Sequence, residues 1–288
     1  LFSTTQKQLD SLIHKYIVSE EQADKFGRVI IQDAGRMKPL NTFSSELLRK
    51  VSKKDTYKDM NADQAFLSMV MLDEAWYNIP IIYLKRGNDS LRTVAGVEKD
   101  AKYAALSDFF DERGGYKLSE ILEKAYREPV PNQFEKDFMD IDQKINLLYS
   151  ALSGQILKIF PIPEHENDKW VSYVELGEPT GTSLDTIKNV LPYYLQTLAS
   201  ATQTNDFTQA DELLEGLKNY QKTYGADVMP SKDKVDAEIL YNKYDIFKKL
   251  FSWYMYAGLL MILFVIIKIF NNKKWVKVGA NTFHVIIG

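Results

Sequence analysis

Three histidines and one group of cations are the residues of this chain best suited to chemistry. His284 lies about eight residues past Val276, where an apolar segment begins, so at about 1.5 Å per residue it would sit roughly 12 Å into a bilayer. Ionisable side chains at that depth are costly and usually mark function. An imidazole facing a helix bundle can ligate haem iron or relay protons; hydrogen-bonded to a neighbouring helix, it would be structural. His14 is expected on the polar side of a short helix. His165 is flanked by Glu164 and Glu166 in an acidic loop, a poor setting for a metal ligand. Arg28, Arg36 and Lys38 surround a turn at Ala34-Gly35. Such a turn could hold a propionate or a phosphate. It could equally cap a helix or pair with surface carboxylates.

Other chemistry is absent from the sequence. No hydrolase elbow, zinc-protease helix or nucleotide loop occurs. Gly177-Glu-Pro-Thr-Gly181-Thr-Ser183 has the look of a phosphate loop but lacks the lysine, and Pro179 removes a donor amide. The chain has no Cys, which excludes disulfides, thiolate metal sites and a Cys nucleophile. Asp137, Asp140 and Asp142 are expected on a solvated helix face. No metal site and no catalytic residue is expected in this stretch.

These groups are positioned by a soluble region and a membrane helix. Leu250 to Ile267 is uncharged and proline-free, long enough to cross a hydrocarbon core of roughly 30 Å. Residues 251–288 hold four Lys and no acid; removing them from a net charge of −3 leaves −7 on residues 1–250. An acidic domain lacks the basic patch that nucleic acid requires. Lys268, Lys273, Lys274 and Lys277 follow the span, against Lys243, Lys248 and Lys249 before it, diluted by Asp245. The balance favours a cytoplasmic C-terminal flank. The soluble region then faces outward from a bacterial inner membrane, into the periplasm. The expected organisation is an external domain over residues 1–230, a stalk helix over 231–249, a transmembrane helix over 250–267, a cytoplasmic loop over 268–277 and the start of a second transmembrane helix over 278–288, within a longer polytopic protein.

The external domain is predicted to be mainly α with a few short strands (α+β). Apolar spacing of three and four predicts helices over 5–16, from Ser19 to Phe26, from Asn41 or Thr42 to Val51, over 62–72, 118–127, 132–159, 183–202 and 207–224. Strands are predicted at 28–33, 79–84 and 170–176. Pro129 to Pro131 is the best candidate boundary inside the domain. Ser231 is expected to cap a helix running unbroken to Asn271, with Val235, Ile239, Ile246 and Leu250 on one face.

Gln32-Asp33, Gly35-Arg36, Lys38-Pro39, Asn41-Thr42, Ser45-Glu46 and Leu48-Arg49-Lys50 together resemble a stretch of the cytochrome c biogenesis proteins of the CcsA/ResC family, in the long Bacteroidetes form fused to a ResB/CcsB-like portion. Similarity continues through Asn61 to Phe66, Leu106 to Asp111, Ile156 to Pro161 and Ala237 to Lys243. The resemblance implies the system II machinery, whose membrane core carries haem outward and attaches it to an apocytochrome c. It implies haem as cofactor of the whole protein, apocytochrome c and other system II membrane components as partners, and holocytochrome c synthase activity residing outside this stretch. The family's Trp-rich external motif does not occur here; Trp76, Trp170, Trp253 and Trp275 are scattered. His284 is the residue placed like a family membrane histidine. The alternative is a membrane-anchored periplasmic interaction or sensor ectodomain, with a cytoplasmic output domain following Lys277.

Overall fold

Two residues of positive φ, Ala34 at 48° and Gly35 at 80°, reverse the chain between β1 (Ile30–Asp33) and β2 (Arg36–Pro39). The strands pair antiparallel, Ile30 opposite Pro39 and Asp33 opposite Arg36. A two-residue loop with both positions left-handed matches the twist of the strands it joins. The architecture comes from a computed structural model that describes residues 6–165, 167–176, 187–244 and 246–270. The loop over 177–183, the expected helix start at Ser183, the segment 271–288 and His284 lie outside the described residues.

Helices α1 (Gln6–Lys15) and α2 (Glu20–Gly27) stand where the apolar spacing predicts them. Ser19 caps α2, its Oγ accepting from the Gln22 amide at 3.3 Å. Helix α3 (Leu40–Ser52) starts directly from Pro39 and has no side-chain cap. The expected caps have other work: Asn41 donates to Asp63, and Thr42 to Glu238. Asn61 and Gln64 form a reciprocal capping box at the head of α4 (Ala62–Met71). Short α5 (Asp73–Tyr77) and α6 (Asp89–Ala95) were not predicted; each is under three turns, too short for a periodic signal.

The expected strand at 79–84 shrinks to β3 (Ile82–Tyr83), paired with β4 (Tyr103–Ala104). A 3₁₀ turn at Ser107–Phe109 precedes α7 (Ser119–Arg127) and α8 (Gln133–Leu152). Helix α8 stops seven residues before the expected Ile159. Gly154 is the reason: its φ is +72°, and a Cβ there would lie 2.5 Å from the Tyr173 ring. The third predicted strand reduces to β6 (Trp170–Val171), paired with β5 (Phe160–Pro161). Helices α9 (Val190–Thr204) and α10 (Thr208–Tyr224) form a hairpin. Ser231 caps α11 (Lys232–Tyr244), and α12 (Ile246–Phe270) follows.

The chain divides into two compact units, the first ending at Glu238 and the second beginning at Ile239. In the first, one buried apolar cluster runs from Leu9 to Leu217 and includes side chains on both sides of Pro129–Pro131. Phe138, Ile141, Ile145 and Leu148 of α8 enter it as the spacing predicts, whereas Phe134 is exposed. In the second unit, Lys249–Ile267 is long and apolar enough to cross a membrane, with a mean hydropathy of 2.2 and none of that window buried.

Three two-stranded sheets of this size hold little by themselves. Two glutamines tie the β1–β2 hairpin to the β5–β6 pair. Gln221 of α10 is 1% exposed; its Oε1 accepts from Ile30 N at 3.2 Å, and its Nε2 donates to Ile30 O and Ile159 O, each at 2.8 Å. Gln32 Nε2 donates to Asp168 O at 3.0 Å, and its Oε1 accepts from Trp170 N at 2.9 Å. Removing the Gln221 amide orphans three buried backbone groups at about 1–3 kcal/mol each before relaxation. Gln221→Ala is therefore expected to cost about 3 kcal/mol, read from the denaturant midpoint of the detergent-solubilised chain, and Gln221→Leu, which restores volume alone, should recover little of it.

Candidate functional site

Arg28, at the end of α2, and Arg36, on the β1–β2 hairpin, both reach acids in the first two turns of α11, whereas Lys38 of the hairpin turns to carboxylates of β1 and α3. The strand register places Arg36 and Lys38 two residues apart, so their side chains leave β2 on the same face. Lys38 is buried, with Nζ 2.6 Å from Asp33 Oδ2 and 2.5 Å from Glu46 Oε2, and 5.5 Å from the centre of the Phe43 ring. Arg36 Nη2 donates to Glu238 Oε1 at 2.6 Å, an oxygen that also accepts from Thr42 Oγ1 at 2.9 Å. Arg28 pairs with Asp236, two residues before Glu238 on α11, and holds that carboxyl below its ordinary range.

Each of the three cations thus faces at least one carboxylate. Of the uses open to such a turn, pairing with acidic side chains is the one the geometry displays. A propionate or phosphate would compete with Glu238 or Asp236 for the same donors. The partners were not identifiable from the sequence, because Asp236 and Glu238 lie about 200 residues downstream on a helix whose polar face has no distinctive pattern. A second ionic contact lies nearby on α2: Lys25 Nζ is 2.7 Å from Asp211 of α10 and 3.4 Å from Glu21, and Asp211 raises its pKa.

The three acids of α8 do not form the expected solvated face. Asp137 accepts from Lys85 and Gln133 at 2.8 Å each, which together hold it below its ordinary value against a cost of burial. Asp142 is buried and accepts from two tyrosines, Tyr116 at 2.8 Å and Tyr126 at 2.9 Å. Asp140 lies 2.7 Å from Lys144, itself 1% exposed, whose Nζ also donates to Tyr83 O at 3.1 Å. Burial pushes the Lys144 ammonium down and Asp140 pulls it back. The four-residue spacings of Asp140 with Lys144 and of Gln133 with Asp137 are the readable signals of this set.

His14 is exposed, as expected. His165 is also exposed, and its Nδ1 accepts from Asn167 N at 3.3 Å. Among the described residues, no three His, Asp or Glu side chains converge in a way that could hold a metal ion. Neither described histidine is enclosed.

No family model matches the chain. It is 32% identical to Protein NrfI of Wolinella succinogenes over 249 residues. The match takes in 85% of this chain but 27% of the relative, so the chain spans about a quarter of that protein's length.

The Arg36–Glu238 contact pairs a half-open guanidinium with a carboxylate 16% exposed. A double-mutant cycle on Arg36→Ala and Glu238→Ala is expected to give a coupling of about 1 kcal/mol in low salt, smaller in high salt. A coupling indistinguishable from zero in low salt would mean that the hairpin does not hold α11 through charge.

Proposed function

We propose that this chain is the external domain and first retained span of a system II cytochrome c assembly protein, taking part in haem delivery and attachment to apocytochrome c. The observation that carries this reading is the 32% identity to Protein NrfI over most of the chain, which supports a general role in cytochrome c biogenesis. The distributed resemblance to the CcsA/ResC family over residues 20–284 points the same way and adds the finer assignment. The candidate span Lys249–Ile267 and the lysines after it support a domain outside the inner membrane.

In this reading haem belongs to the whole protein. His284 is its candidate ligand in this chain, and the described domain serves as the surface that meets apocytochrome c or another assembly component. Arg28 and Arg36 act first as ionic partners of Asp236 and Glu238, and Lys38 of Asp33 and Glu46; contact with a haem propionate would need one of these carboxylates to give way. The domain's own residues then perform positioning and docking, and the bond-forming chemistry lies with the rest of the protein.

Two measurements test this. Purified full-length protein should carry a Soret band that His284→Ala weakens; unchanged haem content would remove His284 from the site. The chain contains no Cys, so Lys222→Cys, on an exposed turn of α10, provides a single label position. A membrane-impermeant maleimide should label it in intact spheroplasts. Labelling only after the membrane is opened would put the domain on the cytoplasmic side and overturn the reading.

A further inference from the structure

Among the described residues, three buried side-chain atoms have no hydrogen-bond partner: Trp170 Nε1, Tyr194 OH and Asp63 Oδ1. The last belongs to a carboxyl, for which the cost of dryness depends on protonation.

Asp63 stands in the first turn of α4, 3% exposed, where α2 and α3 pack against it. Its Oδ2 accepts from Asn41 Nδ2 at 2.6 Å. Gly27, the last residue of α2, closes the other side: a Cβ there would lie 2.7 Å from Oδ2. Ser44 of α3 is within hydrogen-bond reach of the carboxyl. However, a hydroxyl has one proton, and Ser44 Oγ donates its own to Leu40 O at 2.8 Å. An ionised Asp63 therefore receives one strong hydrogen bond and keeps a dry, unpaired oxygen. A protonated carboxyl can instead donate to the Ser44 lone pair, completing a chain from Asp63 through Ser44 to the Leu40 carbonyl.

The surrounding charges do not favour ionisation. Asp24 of α2 adds negative potential. Lys25 of α2 is turned to Asp211, and Glu20 and Glu21 are exposed. On α3, Glu46 is paired with Lys38, Arg49 with Asp55 and Lys50 with Asp140. Asp73 and Glu74 of α5 are exposed. On α8, Asp137 is paired with Lys85 and Asp140 with Lys144. Helix α9 has no charged residue.

We propose that Asp63 is a buried proton-binding site whose occupancy sets how firmly α2, α3 and α4 are joined. This is independent of the cofactor that the whole protein handles. Burial pushes the carboxyl from 3.8 up to about 6, with the hydrogen bond from the Asn41 side chain opposing the shift and Asp24 adding to it. The folded value exceeds the unfolded one, so the stabilisation is complete below about pH 4 and lost as pH rises through about 6. The gap corresponds to roughly a hundredfold in the folding equilibrium.

The test uses the chain in detergent micelles, with aspartate carboxyls labelled with carbon-13 and titrated from pH 3.5 to 8. One carboxyl should titrate near 6; it is assigned by its loss in Asp63→Asn or, if that variant does not fold, by its shift in Ser44→Ala. A midpoint below about 4.5 would overturn the proposal. Asp63→Asn keeps the acceptor for Asn41 and offers Ser44 an N–H in place of the proton. Relative to this variant, the wild type should lose roughly a hundredfold in the folding equilibrium between pH 4 and 8; a ratio constant with pH would also overturn it. Ser44→Ala should lower the midpoint by removing the acceptor, whereas a raised midpoint would show Ser44 donating to a carboxylate and refute the chain to Leu40.

Discussion

Two primary amides, one buried and one half-buried, do in this domain what a continuous sheet does elsewhere. Strands of two to four residues expose backbone donors and acceptors that neighbouring strands do not reach. Gln221 answers both backbone groups of Ile30 and the carbonyl of Ile159, and Gln32 answers Asp168 O and Trp170 N. Gln32 N adds a direct bond to Lys158 O at 3.0 Å. The β1–β2 hairpin is thereby joined to the β5–β6 pair and to α10 without any strand lengthening. A glutamine can do this because its amide presents an acceptor and two donors at the end of a side chain long enough to cross from a helix to a strand.

That arrangement fixes what the hairpin can present. With Ile30 and Gln32 anchored at β1, its partner β2 points Arg36 and Lys38 to one side, and Asp33 and Glu46 close on Lys38. A buried ammonium with two carboxylates contributes less to net stability than to uniqueness of position, since desolvation offsets most of the attraction. Arg36 and Arg28 remain more exposed and reach Glu238 and Asp236. The two kinds of contact therefore differ in their response to salt: the pair at Lys38 is shielded by burial, and the pairs to α11 are open to screening.

The sequence made the long amphipathic helices legible and left the connections obscure. Asn61 with Gln64, Ser19 before α2, and the three-and-four spacing of α8 are local signals, and the structure keeps them. The failures have a common cause. Asn41 and Thr42 looked like caps, but their side chains were already engaged with Asp63 and Glu238. Gly154 ends α8 because Tyr173 occupies the space beside it, a contact invisible along the chain. The acids of α8 looked solvated because Tyr116, Tyr126 and Lys85 arrive from other elements. The cationic turn was legible as a site, while its carboxylate partners, two hundred residues on, were not.

A polar framework of this kind has a consequence for a domain mounted ahead of a membrane helix. Apolar packing alone would tolerate small sliding of α2 and α10 over the core, since dispersion is non-directional. Hydrogen bonds to Ile30, and ion pairs from Lys25 to Asp211, are lost over about an ångström of displacement. They convert a core that is merely stable into one with a defined register between the hairpin and α10. The residues that set this register are glutamines and lysines rather than large apolar side chains, so substitutions that leave the core volume intact can still shift the cationic face. Position, more than stability, is the property these buried polar groups determine, and a surface that has to meet a partner at one geometry depends on position.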